Sequence, residues 1–323
     1  MNVGTKDPVS AGTGTKAEPR LGGVVGAGLL AALLFAAAAF VPALGPLAFL
    51  CPVPLAVQRL RGGAAGGWLA TALAVALIAA ATSPGAAGGF LLALAPVGLL
   101  LGEALARGRG LLRGCTWAFG LLLAGLAPAL FFAGDAMQRR SLEPVDQLRS
   151  EAFLSELHQR GVPDDAVADF REQVGAIREA IAVVFPAAWI IGAALLVIAN
   201  AALLRLYLLR RDPGWLEEGE FERIHFPLAL VAAFILAGAS VALPLARPAA
   251  YNVLLVVAFF FALQGLAVVV FYARRLAAPP LLRLALLVLV LANPWAPEIL
   301  ALLGLFDNWF DFRRWAEPPR EKV

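Results

Sequence analysis

Long apolar runs recur along this chain, and they limit its fold more than any other feature. About 18 or more consecutive apolar residues are enough to cross a bilayer as a helix. Only 15% of the residues are charged, against about a quarter in soluble domains. The runs are continuous, unlike the alternating strands of a transmembrane barrel. The sequence therefore predicts an all-α, polytopic helical bundle, with apolar runs at 21–43, 64–83, 87–106, 112–133, 181–204, 226–246, 251–273 and 281–304.

A short apolar segment at 46–58 is harder to place, because it contains Pro46, Pro52 and Pro54. Thirteen helical residues extend only about 20 Å, less than the hydrocarbon core of about 30 Å. The segment is either a thin, broken span or a re-entrant hairpin. The positive-inside rule favours a crossing. With the N-terminal tail inside, a crossing puts most basic clusters on the cytoplasmic side: Arg59, Arg61, Arg107, Arg109, Arg113, Arg205, Arg210, Arg211, Arg223, Arg274, Arg275 and Arg283.

The last run, 281–304, is interrupted by "NPWAPE" at 293–298. Prolines remove backbone donors and kink or end a helix. The run is either a kinked full span or a segment that turns back halfway. A full span would place the basic C-terminal tail outside, and the charge of that tail favours the cytoplasmic side. Counting these segments gives eight or nine membrane segments.

The chain is expected to have five parts in a bacterial inner membrane. These are a disordered cytoplasmic tail (1–20), an N-terminal membrane bundle (21–133), an extracytoplasmic helical loop (134–180), a C-terminal membrane bundle (181–304), and an amphipathic interfacial helix with a tail (305–323). Residues 135–179 carry six Arg against ten Asp and Glu. Helical spacing of apolar residues predicts an amphipathic helix that runs into the next span: Val167, Phe170, Val174, Ile177 and Ile181. That helix either packs on the bundle or serves as a lid or docking surface.

Ordinary catalysis has no support in the sequence. No span carries a Ser/His/Asp or Cys/His set, and no P-loop is present. Cys51 and Cys115 lie apart in apolar segments, and His158 and His225 lie in different loops, so no metal site is indicated. We therefore expect neither an enzyme nor a cofactor. The expected partner is the lipid bilayer, with no nucleic acid.

Polar side chains inside the apolar runs are the leading candidates for function, because they are costly in hydrocarbon. Gln264 lies near the middle of its run, Asn200 in the half near the arginines, and Asn252 near an end. Their amides either form hydrogen bonds between helices or contact a ligand.

Small residues recur at four-residue spacing in two places. Gly28, Ala32 and Ala36 form one stripe, and Gly62 and Gly66 belong to another. Such stripes let helices approach closely. They indicate either packing within the chain or a seam for a partner.

The stretch "GLFDNWFDFRRW" (304–315) separates into two helical faces. One face holds polar residues: Asp307, Asn308, Asp311 and Arg314. The other holds aromatic and aliphatic residues, including Trp309. This composition is typical of an interfacial helix. Arg313 alone projects from the aromatic face. It either extends to the membrane surface or pairs with Glu298 or a carboxylate of another span.

The order of these features resembles the YybS-like family of predicted bacterial membrane proteins, domain of unknown function 2232. The likeness covers about residues 21–315. It depends on the short Pro-rich segment "GPLAFLCPVPLAV", the "GG" before the third span, the long middle loop, and "LGLFDNWFDFRR".

That family is distantly similar to the S components of energy-coupling-factor transporters and to the rod-shape protein MreD. In S components, small residues spaced by four on the first span contact the coupling subunit, and Gly28, Ala32 and Ala36 match that spacing. S components usually have six spans, fewer than this chain. The resemblance implies a small-solute binding or uptake component that works with a separate energising complex. The alternative is a non-catalytic scaffold in cell-envelope assembly.

Overall fold

The computed structural model describes residues 20–275, 279 and 292–314. Within these ranges the chain is helical and has no strand. The tail at 1–19, the part 281–291 of the last apolar run, and 315–323 lie outside the described residues. The α-helices are α1 Leu21–Phe40, α2 Pro52–Ala81, α3 Pro84–Gly89, α4 Ala95–Ala106, α5 Gly110–Leu148, α6 Glu151–Gln159, α7 Asp164–Arg211, α8 Leu228–Ser240, α9 Arg247–Arg275 and α10 Ala296–Phe310.

Six helical stretches among the described residues are long and apolar enough to cross a membrane. They confirm a multi-pass, all-α membrane protein. The stretches are Leu21–Phe40, Ala43–Ala81, Pro84–Ala106, Gly110–Gln159, Asp164–Arg211 and Arg247–Arg275. The run 226–246 differs from the expected full span, because α8 has only 13 residues before the chain enters turns. The break in the last run is confirmed: 293–295 forms a turn, and α10 begins at Ala296.

The short second segment forms a 3₁₀ helix, Pro42–Leu50, followed by the first half of α2. Gly63 then bends α2 sharply, with φ 68° and ψ −171°, a conformation open almost only to glycine. The two halves of α2, before and after this bend, lie side by side: a Cβ built on Gly67 would be 3.2 Å from the Cβ of Arg59. The structure thus separates the segment 46–58 from 64–83. That the first half of α2 crosses a membrane stays a prediction.

The chain divides into two compact units. Unit 1 comprises Met1–Leu122 and Leu196–Glu217, and unit 2 comprises Leu123–Leu195 and Glu218–Val323. Helices α5 and α7 contribute residues to both units, so the units are not consecutive segments. The core of unit 1 is formed by α1, α2, α4 and the parts of α5 and α7 in that unit; its large, fully buried side chains include Leu55, Ile78, Phe90, Leu101 and Leu204.

In unit 2, the end of α5, all of α6 and the start of α7 form a charged helical segment, which we call the arm (135–180). It buries Leu142, Leu154, Val167 and Val174, and the rings of Phe153 and Phe170 lie 6.0 Å apart. Helix α7 begins at Asp164 and continues to Arg211, which confirms that the predicted helix runs directly into the following span. Ile177 departs from the pattern, because it is 54% exposed.

Candidate functional site: a buried polar network in unit 2

Helices α9 and α10 make backbone contact in unit 2 through two glycines. A Cβ built on Gly265 would lie 2.0 Å from the carbonyl oxygen of Leu300. One built on Gly304 would lie 1.9 Å from the carbonyl oxygen of Phe261. Real side chains cannot occupy such spaces, so only glycine permits this crossing. It brings the neighbouring polar residues, Gln264 on α9 and Asp307 on α10, within hydrogen-bonding distance.

Gln264 and Asp307 are buried together, at 0% and 1% exposure. The amide nitrogen of Gln264 donates to Asp307 Oδ2 at 2.9 Å, and its oxygen accepts from the backbone N–H of Phe226 at 3.0 Å. Asp307 Oδ1 accepts from the backbone N–H of Phe312 at 3.1 Å. Gln264, which the sequence marks as the deepest uncharged candidate, is therefore held on both ends of its amide.

Arg313 completes the network. Helix α10 ends when Asp311 adopts a left-handed conformation, with φ 42°, and the chain then turns back. The Arg313 guanidinium donates to Asp307 Oδ2 at 2.8 Å and to the carbonyl oxygens of Glu222 and Ile224 at 2.6 and 2.8 Å. Its side chain is 14% exposed. Neither expectation for Arg313 holds: it is not extended to the surface, and its carboxylate partner belongs to its own segment, not to Glu298 or to another span.

The loop 220–226 closes one side of the network. His225 Nδ1 lies 3.3 Å from the amide nitrogen of Gln264, and its side chain is 54% exposed. Glu222 accepts from Arg274 at 2.7 Å, and Tyr272 donates from its hydroxyl to the carbonyl oxygen of Phe312 at 2.5 Å. The network thus joins the end of α9, the end of α10 and this loop, and His225 and Arg274 are members that are open to the surroundings.

The "GLFDNWFDFRRW" stretch does not divide into the two faces that its sequence predicts, because buried Leu305 and Asp307 belong to opposite predicted faces, and Asp311 and Arg314 are exposed. Phe306, Trp309 and Phe310 are about half exposed, whereas Asp307 is 1% exposed. The helix begins at Ala296, not at 305, and it packs against α9. The helix is therefore longer than expected and its end packs within unit 2, and its place at a membrane interface stays a prediction. Asp307 is buried because it finds donors inside the unit, and aromatic rings tolerate lipid better than a carboxylate does.

Asn200 and Asn252 also bind backbone groups of the chain. Asn200, in unit 1, is 0% exposed and donates to the carbonyl oxygens of Phe49 and Leu196, both at 2.8 Å. Asn252, in unit 2, accepts from the backbone N–H of Ala187 at 2.8 Å. It donates to the carbonyl oxygens of Val183 and Pro248, both at 2.7 Å. The structure does not bring Gln264, Asn200 and Asn252 into one site.

The small-residue stripes lie at helix contacts within unit 1. A Cβ on Gly28 would be 2.8 Å from the carbonyl oxygen of Ala70 in α2. Ala32 is buried and Ala36 is half-buried. Gly62 and Gly66 are buried on either side of the bend in α2. Gly28 and its neighbour Ala31 pack within the chain, and this packing accounts for the start of the first stripe.

Some members of the network could not be found by the search for polar residues inside apolar runs. Glu222 and His225 lie in a polar loop, and Tyr272 lies near the end of its run, so nothing in their local sequence marks them. Their only signal is position, just before α8 or in the last turn of α9. Within the described residues, no group of three or more His, Cys, Asp or Glu could hold a metal ion. The arrangement places the buried carboxyl group of Asp307 beside the guanidinium of Arg313.

Comparison with known protein families gives a match over most of the chain. The family model described as "Predicted membrane protein (DUF2232)" matches residues 29–308. The chain belongs to this family. The matched region contains Gln264, Asn200, Asn252 and Asp307, and it ends before Asp311 and Arg313. No curated protein matches the chain. No solved structure matches it either.

Proposed function

We propose that this member of the DUF2232 family is a non-catalytic scaffold of the membrane, which acts by holding a partner protein in cell-envelope assembly. The observation that carries the proposal is the arm. Helices α5 and α7 have 39 and 48 residues, or about 58 and 72 Å at 1.5 Å per residue. The hydrocarbon core is about 30 Å thick. Both helices are therefore long enough to continue well beyond it without a break.

Ion pairs and hydrogen bonds between its helices give the arm a defined shape. Arg178 on α7 donates to Asp146 on α5 at 2.5 Å, and this hydrogen bond raises the pKa of Arg178. Gln138 on α5 donates to the carbonyl oxygen of Ala182 on α7 at 2.7 Å. These contacts supply geometry more than stability, since exposed pairs contribute about 0–1 kcal/mol. A fixed arm with exposed side chains is suited to binding a protein.

The charge of the arm favours a basic partner. Ten Asp and Glu outnumber six Arg over residues 135–179. Several acidic side chains are open to a partner: those of Asp164 and Glu151 are 97% and 86% exposed. Complementary charge guides encounter and orientation more than it sets affinity. A basic protein surface is therefore the expected contact.

The deep amides also support a scaffold over the other reading, small-solute uptake. In each of the three amide side chains, groups that a solute would have to bind already hold backbone or side-chain atoms of the chain. A solute would have to displace those bonds, and a buried group left without its partner costs about 1–3 kcal/mol. The likeness to S components therefore has no free amide group to act through at Gln264 or Asn252, and at Asn200 only the buried Oδ1 is without a partner among the described residues.

The proposal includes an orientation in a bacterial inner membrane, with the N-terminus cytoplasmic and the arm outside. Ser155 in the arm and Arg113 at the start of α5 are exposed. In intact cells, a membrane-impermeant maleimide should label Ser155→Cys and not Arg113→Cys, with the wild type as the background for Cys51 and Cys115. Labelling of Arg113→Cys alone would reverse the orientation.

Site-specific photocrosslinking tests the scaffold role. A photoreactive residue at Glu172, exposed on the arm, should capture one defined protein in living membranes. The matched control is Phe131, which is 82% exposed on the apolar part of α5 and should capture none of it. The charge-reversed variant Glu172→Lys should reduce recovery of that protein in detergent pull-downs. If the chain is recovered only by itself from both positions, the scaffold proposal fails.

A further inference from the structure

A cleft in unit 1 has a character different from the polar network. It has a volume of about 1160 Å³ and lies among the start of α1, the first half of α2 and the end of α7. Small and apolar residues line one part of it, including Gly26, Ala27 and Val57. Polar and aromatic residues line the other: Arg20, Gln58, Arg61, Tyr207, Asp212 and Trp215. The lining is thus divided into an apolar and a polar part.

Gln58 is the residue in this cleft that lacks an explanation in the fold. It is 6% exposed and lines the cleft, yet its amide has no hydrogen-bond partner within the described part of the chain. Its oxygen lies 2.8 Å from the position of a Cβ on Gly23, so the absence of a side chain there makes room for it. An amide that lines a cleft and makes no described hydrogen bond within the chain is available to a ligand.

Arg61 is fixed at the edge of the same cleft. Its guanidinium donates to Asp212 at 2.6 Å and lies over the ring of Tyr207, 5.5 Å from the centroid. A guanidinium has five N–H donors, so donors stay available beyond the one bound to Asp212. Arg20 is exposed and forms no ion pair with the described residues. Two arginines and one carboxylate make the polar part net positive, which favours an anion.

The position of the cleft sets the shape of its ligand. Arg20 precedes α1, Arg61 precedes the bend of α2, and Asp212 follows α7, so the polar part lies at the ends of apolar helices. The apolar part lies beside α1 and α2, both within stretches long enough to cross a membrane. A ligand that fills both parts has an anionic head at the helix ends and an apolar tail along the helices. A phosphate group suits arginine and amide donors.

We propose that this cleft binds a phosphate ester with an apolar tail, through Gln58, Arg20 and Arg61. The source is either an anionic phospholipid of the bilayer or a soluble phosphate ester that uses only the polar part. The site does not depend on the scaffold role of the arm, which is in unit 2. Loss of binding here would leave the crosslinks from Glu172 unchanged.

Lipid titration of the full-length protein in a neutral detergent tests the proposal. Native mass spectrometry should show phosphatidylglycerol binding at least fivefold tighter than phosphatidylcholine, which has no net charge. Gln58→Glu keeps the size of the side chain but repels an anion, and it should weaken phosphatidylglycerol binding at least tenfold. Arg20→Gln should weaken it at least threefold. The matched control is Arg113→Gln, an exposed arginine of unit 1 outside the cleft, which should change binding less than twofold.

Competition with glycerol 3-phosphate identifies the source. Displacement of phosphatidylglycerol at comparable concentration assigns the site to a soluble ester, and no displacement assigns it to the lipid; both support a phosphate site. Equal binding of the two lipids would overturn the proposal, as would wild-type affinity in both Gln58→Glu and Arg20→Gln. If Gln58→Glu fails to fold, Arg20→Gln decides alone, because Arg20 forms no ion pair within the described ranges of the chain.

Discussion

Asp307 and Arg313 form a nearly dry ion pair in which Arg313 Nη2 lies 2.8 Å from Asp307 Oδ2, with side chains 1% and 14% exposed. The pair lies within one segment, six residues apart, and it is possible only because the chain reverses at Asp311. Each member also binds groups elsewhere in unit 2, so the pair joins α9, α10 and the loop before α8. Removal of one member is more costly than removal of both, since an isolated buried charge is the expensive state.

Arg313→Gln should therefore destabilise the protein by about 3–5 kcal/mol, the usual cost of breaking a buried pair. The measurement is unfolding in detergent, followed by circular dichroism or by a thiol-reactive dye on the buried Cys51. Arg314→Gln is the matched control, because Arg314 is the exposed neighbour. Equal melting of the two variants would return Arg313 to a surface role.

The double variant Asp307→Asn/Arg313→Gln should be more stable than Arg313→Gln alone. Two neutral amides can share a hydrogen bond, whereas the single variant leaves a carboxylate without its guanidinium. The comparison forms a double-mutant cycle with Asp307→Asn, and the interaction between the positions should be about 0.5–3 kcal/mol. Additive effects would show that the two residues act independently.

Gly265→Ala and Gly304→Ala should prevent the close crossing of α9 and α10. Each added Cβ would be within 2.0 Å of a carbonyl oxygen on the other helix, so one helix has to move. We expect a loss above about 4 kcal/mol, outside the usual range for single substitutions. Gly238→Ala in α8 is the control, since nothing lies within 4 Å of its Cβ position. The readout is monodisperse protein in size-exclusion chromatography, and wild-type yield of Gly265→Ala would contradict the packing.

Gly63→Ala should destabilise unit 1, because its φ of 68° with ψ of −171° costs other residues about 1–3 kcal/mol. Gly120→Ala should be neutral or stabilising, since its Cβ position is open and alanine favours a helix interior. Thermal unfolding of the two variants side by side gives the difference. A stable Gly63→Ala would mean that α2 can straighten through this position.

Asn200→Leu should cost about 1–3 kcal/mol in the absence of any ligand, because it leaves the Phe49 carbonyl oxygen without its donor. Thr116→Val is the control: its hydroxyl donates only to the carbonyl oxygen of Leu112, one turn before it, at an exposed site. A variant that melts like the wild type but loses a phenotype would favour a ligand role for Asn200 instead.

The class of protein and several helix boundaries could be predicted from the sequence. Hydropathy is a local property, so continuous apolar runs sufficed for a multi-pass helical bundle. Pro163 and Asp164 marked the start of α7, and "NPWAPE" marked the break before α10, because a proline acts on its own few residues.

The tertiary structure alone decided which face lies inside and which polar groups meet. Gln264 and Asp307 are 43 residues apart, and only a glycine crossing of two helices brings them together. Arg313 reaches the carbonyl oxygens of Glu222 and Ile224 across about ninety residues, through a turn whose left-handed residue is an aspartate. Gln58 reads as an ordinary polar residue near arginines, and its place beside Gly23 in a cleft exists only once α1 packs against α2. Periodicity assigns a residue to a face, whereas its partners depend on which distant helix covers that face.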